Sequence, residues 1–225
     1  MTPGGRADRM ERVVPRRTLK SVLGVAFLAV VVPLTAAVAA EELRCAASYR
    51  EAKFSVPGIS NFGKMNARLY RGAQPTAEGF KQLQAMGIDT VVRLSMGGEE
   101  GAAAEQSIVE PLGMRFVNLP WSSVHDPNTD QIVAFLSLMK DNPDRTFFVH
   151  CKAGSDRTGT FVALYRIAID RWSTVRALDE MKAFHYRYVF LPHLQSYVEA
   201  FPSKLTSEPA FVGLEAAVFN EPMRP

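Results

Sequence analysis

The sequence His150-Cys151-Lys152-Ala153-Gly154-Ser155-Asp156-Arg157-Thr158-Gly159 lies between two apolar stretches of different length. Residues 146–149 are predicted to form a short buried strand, since the turn-forming residues 142–144 precede them. Residues 161–169 are apolar and contain no Gly or Pro, which predicts a buried helix. A strand, a glycine-bearing loop and a helix N-terminus together form an anion-binding cradle, because backbone N–H groups and the helix dipole both point into it.

Two side chains of this loop predict reactivity as well as binding. Cys151 lies at the start of the loop beside Arg157, and settings of this kind can lower a cysteine pKa from ~8.5 to roughly 3.5–7.5. The planar guanidinium of Arg157 can bind two oxygens of a tetrahedral oxyanion. We expect Gly154 to take a positive φ and Gly159 to let the helix begin close to the strand. The pattern therefore indicates a thiolate placed to attack phosphorus, and the alternative is a structural cysteine beside an unrelated arginine.

The order His-Cys, five residues, Arg and Thr-Gly resembles the signature loop of the cysteine-dependent protein tyrosine and dual-specificity phosphatases. A second stretch, Leu69-Tyr70-Arg71, resembles the N-terminal segment of bacterial and fungal members of that group. The resemblance covers most of residues 66–200. It implies phosphomonoester hydrolysis through a phosphocysteine intermediate, with neither a metal nor another cofactor.

The resemblance also implies roles for individual loop residues. His150 would orient the loop by hydrogen bonding, and the hydroxyl of Thr158 would bond the cysteine sulfur and assist breakdown of the phosphocysteine. The predicted catalytic residues in the loop are Cys151 and Arg157. The predicted phosphate-binding residues are Lys152, Ala153, Gly154, Ser155, Asp156 and Arg157.

The general acid is expected on the segment before the next predicted helix, residues 131–139. Asp126 lies 25 residues before Cys151 and Asp130 lies 21 residues before it. In the family the donor is an aspartate two to three dozen residues upstream of the cysteine. Thr129 is predicted to cap the helix and Asp130 to occupy its first turn, where a carboxylate suits the dipole. Asp126 is therefore preferred as the acid, with Asp130 as the alternative.

Apolar patterning predicts an α/β fold in which a mainly parallel sheet of four to five strands is flanked by helices. Strands are expected at residues 89–94, 115–119 and 146–149, with helices between them. Residues 97–101 are predicted to be a loop and residues 102–111 a helix. In such sheets ligands bind at the carboxyl ends of the strands, where the cysteine loop falls.

The charge of +3 belongs to the first residues of the chain. Residues 1–40 carry six basic and two acidic residues, a balance of +4, so the remainder carries −1 and no attraction to nucleic acid is predicted. A basic stretch, an uncharged apolar run from 22 to 40 and small residues at its end predict an export signal cleaved after Ala39 or Ala40. The expected location is the periplasm. An uncleaved membrane anchor facing the periplasm is the alternative, and membrane contact is expected only in that case.

These patterns divide the chain into a signal peptide (1–40), an irregular segment (41–65), a catalytic domain (66–203) and a loosely held tail (204–225). The oligomeric state is not predicted. Cys45 is expected to be nonessential; an exported chain with two cysteines also allows a reversible bond between Cys45 and Cys151 that would block the nucleophile.

Substrate preference is predicted from the charges in the loop. Lys152 suits inositol phosphates or phosphoinositides, whereas Asp156 should repel a polyanion. A phosphorylated protein, or a small phosphomonoester, is therefore the first expectation and an inositol phosphate or phosphoinositide the second. Residues 186–188 are a candidate substrate rim, although aromatic residues at this spacing more often belong to a core. A phosphate-binding module without turnover and a sulfur-transferring rhodanese-like enzyme remain alternatives.

Overall fold

A five-stranded, mostly parallel sheet forms the centre of the molecule in a computed structural model, which describes residues 49, 51–96 and 98–214. The spatial order is β1-β2-β5-β3-β4, and only β1 and β2 pair antiparallel. The strands are β1 (Gly63–Lys64), β2 (Leu69–Ala73), β3 (Thr90–Arg93), β4 (Arg115–Asn118) and β5 (Phe147–Cys151). The predicted α/β fold with a mainly parallel sheet is confirmed.

Six α-helices flank the sheet between residues 77 and 207. They are α1 (Ala77–Ala85), α2 (Gly98–Val109), α3 (Thr129–Asp141), α4 (Asp156–Ala168), α5 (Thr174–Ala183) and α6 (Pro192–Ser207), with short 3₁₀ helices at Glu110–Leu112 and Pro209–Phe211. Thr76 caps α1 by accepting a hydrogen bond from the backbone of Gly79. Every helix among the described residues is too short or too polar to span a bilayer.

Side chains alternate between the two faces of the sheet and so enter two separate cores. Val92, Phe147 and Val149 belong to a large core that also contains side chains of α3, α4, α5 and α6. Val91 and Phe148 belong to a smaller core under α1. This alternation is the period-two pattern of a strand with both faces covered.

Three boundaries differ from the sequence-based expectations. The predicted loop at 97–101 is largely helical, because α2 begins at Gly98. The cap of α3 is Asn128 rather than Thr129; its side chain accepts from the Gln131 backbone, and the Gln131 side chain accepts from the Asn128 backbone. The segment predicted to be irregular also contributes β1.

The expectation of a loosely held tail from residue 204 is not met for residues 204–214. Helix α6 continues through Pro202 to Ser207, and Leu205, Phe211 and Leu214 are buried in the large core. The Phe211 ring packs edge-on against Phe201 at 5.5 Å between centroids. Burial of these apolar side chains outweighs the hydrogen bond that Pro202 cannot donate inside the helix. Residues 1–48 and 215–225, which include the predicted leader and Cys45, lie outside the described residues.

Candidate active site

The cysteine loop, residues 150–159, connects the carboxyl end of β5 to the first turn of α4. Cys151 is buried as the last residue of β5 and pairs in register with Ala73, the last residue of β2. The nucleophile candidate therefore lies at the edge of the sheet where ligands of α/β proteins bind. Helix α4 begins at Asp156, five residues earlier than its apolar pattern suggested.

Gly154 is the glycine that the loop requires. Its φ is +69°, and a Cβ at this position would lie 2.4 Å from the carbonyl carbon of Gly72 and 2.5 Å from the nitrogen of Ala73. Any other residue would be strained and would push the loop away from β2. Gly159 has no such duty, because its Cβ would meet Arg71 Nη2 at 3.5 Å, an ordinary contact. The predicted steric reason for Gly159 is therefore wrong.

Arg71, the arginine of the stretch Leu69-Tyr70-Arg71, supports the loop from below. It is fully buried in β2, and its Nη2 donates to the carbonyl oxygen of Gly154 at 2.9 Å. The same oxygen accepts from Asn61 Nδ2 at 3.1 Å. Because a trans peptide directs its N–H opposite to its C=O, these bonds direct the N–H of Ser155 away from Arg71 and Asn61. The ring of Phe184 lies 4.2 Å from the guanidinium.

The guanidinium of Arg71 is buried without a carboxylate partner among the described residues. Burial lowers the pKa of its guanidinium to about 10, while Glu180 and Cys151 act in the opposite direction and Arg166 adds to the lowering. None of the ion pairs in the described residues includes Arg71. Its Nε and Nη1 atoms are buried and have no hydrogen-bond partner in this part of the chain. A buried cation of this kind favours negative charge nearby.

Arg157 and Thr158 lie in the first turn of α4. Arg157 is half-buried, and its Nη1 donates to the carbonyl oxygen of Trp121 at 3.4 Å, which leaves its other N–H groups available for an anion. The hydroxyl of Thr158 is buried, and no partner for it exists among the described residues. It is therefore free to donate a hydrogen bond, as the role predicted for it requires.

His150 belongs to a buried polar cluster behind the loop. Its Nε2 atom lies 2.7 Å from Oε1 of Glu105, a buried residue of α2. The other carboxylate oxygen of Glu105 accepts from Gln74 Nε2 at 3.1 Å and lies 3.4 Å from Arg93 Nε. A supporting role is predicted for His150, and the carboxylate of Glu105 is the charged group that lies against its ring.

The negative charge of Asp156 is paired with the guanidinium of Arg187, which lies 31 residues further along the chain. The carboxylate accepts from Arg187 Nη2 at 2.6 Å, from Arg187 Nε at 2.9 Å and from the Arg187 backbone at 3.0 Å. Asp156 raises the pKa of the Arg187 guanidinium through these bonds. The expected repulsion of a polyanion by Asp156 is therefore largely offset, because an exposed guanidinium covers the carboxylate.

The two acid candidates occupy different settings. Asp126 is exposed on the loop before α3, and within the described residues its carboxylate makes no hydrogen bond or ion pair. Asp130 is exposed in the first turn of α3. Asp126 lies close enough to α6 for its charge to contribute to the raised pKa of Tyr197, after burial and Glu208. Asp126 thus keeps the freedom that a mobile proton donor needs.

Lys152 and Ala153 are the exposed residues of the loop, whereas Ser155 is buried. Asn61 Nδ2 reaches the carbonyl oxygen of Ala153 at 3.4 Å, and Asn61 also lines a cavity of about 530 Å³ beside the loop. The cavity is formed by Lys53, Phe54, Ser60, Asn61, Phe62 and His185. A surface that carries Lys53 and two aromatic rings, those of Phe54 and Phe62, therefore adjoins the residue that bonds the loop.

Comparison with known proteins agrees with this geometry. Residues 55–189 match the family model described as a DSP-PTPase phosphatase fused to NAD⁺ kinase. The chain belongs to this phosphatase family. The match begins before residue 66, in the segment that supplies Asn61 and β1.

Individual phosphatases show the extent of the similarity. The dual specificity protein phosphatase TpbA of Pseudomonas aeruginosa strain UCBPP-PA14 is 30% identical over 122 residues, which cover 54% of this chain and 53% of TpbA. The inositol diphosphatase DSP4 of Arabidopsis thaliana is 24% identical over 134 residues, 55% of this chain and 63% of DSP4. The chain thus spans about half of TpbA and less than two thirds of DSP4.

Solved structures of TpbA cover more of each chain. The crystal structure of P. aeruginosa TpbA has a TM-score of 0.56 and 26% identity, and the match covers 66% of this chain and 89% of that one. A cysteine-to-serine variant of TpbA in complex with phosphotyrosine has a TM-score of 0.57 and 25% identity, covering 76% and 96%. The DSP-PTPase fold of this chain is therefore shared over nearly the whole of the TpbA structures.

Proposed function

We propose that the chain is a cysteine-dependent phosphatase that hydrolyses phosphomonoesters through a phosphocysteine intermediate. The observation that carries the proposal is the position of Cys151 at the end of β5, in a loop whose Gly154 carbonyl is bonded to the buried Arg71. This arrangement leaves amide hydrogens and Arg157 for the equatorial oxygens of the phosphoryl group. Membership of the DSP-PTPase family supports the same reaction.

The reaction proceeds in two steps. The Cys151 thiolate attacks phosphorus in line, so that an S–P bond forms as the bond to the leaving oxygen breaks, and Asp126 gives its proton to that oxygen. Water then attacks the phosphocysteine, Asp126 takes up a proton from the water, and inorganic phosphate leaves as Cys151 returns to the thiolate. Arg157 and the loop amides stabilise the charge of both transition states, and Thr158 stabilises the departing thiolate.

Phosphotyrosine, or phosphoserine and phosphothreonine, in proteins is the first substrate class. The structural similarity to TpbA, one of whose variants binds phosphotyrosine, supports this order. A multiply phosphorylated small molecule such as an inositol phosphate is the second class. The observation that favours it is the pairing of Asp156 with Arg187, which offsets a negative charge at the mouth beside the exposed Lys152.

The location that fits the sequence is the periplasm. Residues 1–40 carry the basic, apolar and small-residue regions of an export signal, which supports secretion with cleavage after Ala39 or Ala40. The thiol of Cys151 must then stay reduced outside the cytoplasm. Mass spectrometry of the protein recovered from the periplasm tests the predicted cleavage. We expect the mass of a chain that begins at residue 40 or 41, and the mass of the full-length chain would contradict cleavage.

Hydrolysis of p-nitrophenyl phosphate by the wild-type chain and by Cys151→Ser tests the reaction. We expect the variant to lose turnover but to retain binding of vanadate or phosphate, and turnover in Cys151→Ser would refute the mechanism. Parallel assays with thiosulfate distinguish a rhodanese-like sulfur transferase.

Comparing Asp126→Asn with Asp130→Asn identifies the general acid. The variant that lacks the acid should be slower by about 10²–10⁴-fold on a substrate with a poor leaving group.

A further inference from the structure

Three consecutive large apolar side chains are exposed between α5 and α6. The exposed fractions are 55% for Tyr188, 69% for Val189 and 77% for Phe190. Single exposed apolar residues are common on protein surfaces, whereas contiguous ones mark surfaces that bind something.

The turn that carries these side chains is held in place at both ends. Tyr186 and Leu191 on either side are buried, and the Tyr186 hydroxyl donates to the carbonyl oxygen of Leu191. The backbone N–H groups of Phe190 and Leu191 both donate to the carbonyl oxygen of Arg187, at 3.0 and 3.1 Å. The exposed side chains are therefore presented by an ordered turn, so that little conformational freedom is lost when a partner binds.

Hydrogen bonds connect this turn to the cysteine loop and to the acid-bearing loop. Arg187, which precedes the turn, binds the carboxylate of Asp156 in the cysteine loop. His193, which follows it, lies with Nε2 3.0 Å from the carbonyl oxygen of Ser123. The next residue along that loop, Val124, is 66% exposed. We call Val124, Tyr188, Val189 and Phe190 the apolar rim.

We propose that the apolar rim binds apolar side chains that flank the phosphorylated residue of a protein substrate. The inference rests on the proposed phosphatase function and adds a sequence preference to it. A phosphate bound over Cys151 brings the neighbouring residues of its own chain to the two loops that carry the rim. The rim would thus contact the substrate outside the phosphate, where it contributes to affinity and selectivity.

Charge distinguishes this partner from a lipid surface. Anionic membranes attract clusters of basic residues beside an apolar surface. The guanidinium of Arg187 is engaged by the carboxylate of Asp156, and the four side chains of the rim are uncharged. The turn that carries the rim therefore presents no free cluster of basic residues, which favours an apolar peptide flank over an anionic membrane.

The test compares two variants that lose apolar surface in different places. The rim variant carries Tyr188→Ser, Val189→Ser and Phe190→Ser. The control variant carries Val175→Ser and Val212→Ser, two positions that are 70% and 80% exposed and lie outside the loops described above. Each protein is assayed with a phosphotyrosine peptide flanked by Leu and Val, with the same peptide flanked by Ser, and with p-nitrophenyl phosphate.

We expect the wild type and the control to prefer the apolar peptide by about tenfold or more in kcat/KM, and the rim variant to lose this preference. The loss should appear in KM, with the rate on p-nitrophenyl phosphate as the internal reference for folding. Equal use of the two peptides by the wild type, or an unchanged preference in the rim variant, overturns the inference. Sedimentation with phosphatidylglycerol vesicles that depends on the rim also overturns it, in favour of a membrane surface.

A failure of the proposed phosphatase function can be told apart from a failure of the rim inference. If the wild type hydrolyses none of the phosphomonoesters, the proposed function fails, and the rim is then tested by binding alone. Calorimetric titration of the Cys151→Ser protein with the two phosphopeptides should still give a tighter Kd for the apolar one. Equal affinities in that titration overturn the inference independently of turnover.

Discussion

Arg71 and Gly154 are 83 residues apart in the chain, yet the buried guanidinium of Arg71 donates a 2.9 Å hydrogen bond to the carbonyl oxygen of Gly154. The bond fixes the peptide plane at the bottom of the cysteine loop. It also places a cation below Cys151, so that one side chain sets both the shape and the electrostatic character of the loop.

Replacing Arg71 should therefore impair catalysis more than its structural role alone explains. We expect Arg71→Lys to lower kcat/KM for p-nitrophenyl phosphate by roughly 10²–10³-fold, since a point charge cannot reproduce the planar donor. Arg68→Lys is the matched control, because Arg68 also donates to backbone carbonyls, those of Asn142 and Pro143, at 2.8 and 2.7 Å. Equal activity of Arg71→Lys and Arg68→Lys would contradict a role of Arg71 in catalysis.

The two loop glycines should respond differently to the same substitution. Gly154→Ala is expected to abolish activity and to lower the free energy of unfolding by about 2–4 kcal/mol, from the positive φ and the overlap with β2. Gly159→Ala should stay within about 1 kcal/mol of the wild type, since its Cβ meets only ordinary contacts inside α4. Urea unfolding monitored by fluorescence gives both values, and a costly Gly159→Ala would contradict the assignment.

Glu105 should prove essential for the arrangement behind the loop. Glu105→Gln takes the negative charge away from two buried neighbours, Arg93 Nε at 3.4 Å and His150 Nε2 at 2.7 Å, so we expect a loss of about 3–5 kcal/mol in stability. The kcat for p-nitrophenyl phosphate should fall as well, because the ring of His150, next to Cys151, loses the charged group that lies against it. Glu110→Gln is the control, as Glu110 is exposed and accepts only from Gln106 in the described residues. Wild-type activity in Glu105→Gln would exclude an orienting role.

The pair Asp156–Arg187 should show measurable coupling. We expect Arg187→Met to be more destabilising in the wild type than in Asp156→Asn, because it uncovers a buried carboxylate only in the former. The coupling free energy should be about 1 kcal/mol, a modest value because the Arg187 side chain is exposed to water. A double-mutant cycle from urea unfolding measures it, and additive effects would contradict the pairing.

Alkaline stability should depend on Tyr197. Burial, Glu208 and Asp126 raise the pKa of its hydroxyl to about 12, so that the folded state keeps the proton at a pH where the unfolded chain has lost it. The unfolded state then binds fewer protons, and stability should fall as the pH rises from 10 toward 12. Tyr197→Phe should show a shallower decline in urea midpoint over this range. An identical slope in both proteins would rule out Tyr197 as the source.

Local patterns in the sequence are sufficient to predict the parallel strands and the position of the cysteine loop, because these depend on neighbouring residues. The side chains around the loop were harder to predict. Arg71, Glu105 and Arg187 are separated from their partners by 31 to 83 residues, and only the sheet and helix packing brings them together. A Glu in a helix or an Arg in a strand carries no local sign that its charge is buried.

Helix ends are difficult to predict from the sequence for a related reason. The glycines at 98 and 101 favour a loop, although α2 contains them, and Pro202 disfavours a helix, although core packing carries α6 past it. Intrinsic preferences of single residues decide such boundaries only where tertiary contacts are weak. Phe211 and Leu214 supply strong contacts beyond Pro202 and extend the ordered chain.

The side chain of Asn61 has a consequence for how this protein is produced. Its single amide nitrogen donates to the carbonyl oxygens of Ala153, Gly154 and Phe184, at 3.4, 3.1 and 3.0 Å. A recombinant version trimmed to start at residue 66, where the predicted catalytic domain begins, would discard this amide together with β1. Such a preparation is expected to fold with a cysteine loop that lacks these hydrogen bonds and to show little activity. A preparation that begins before Lys53 retains Asn61 and its hydrogen bonds to the loop.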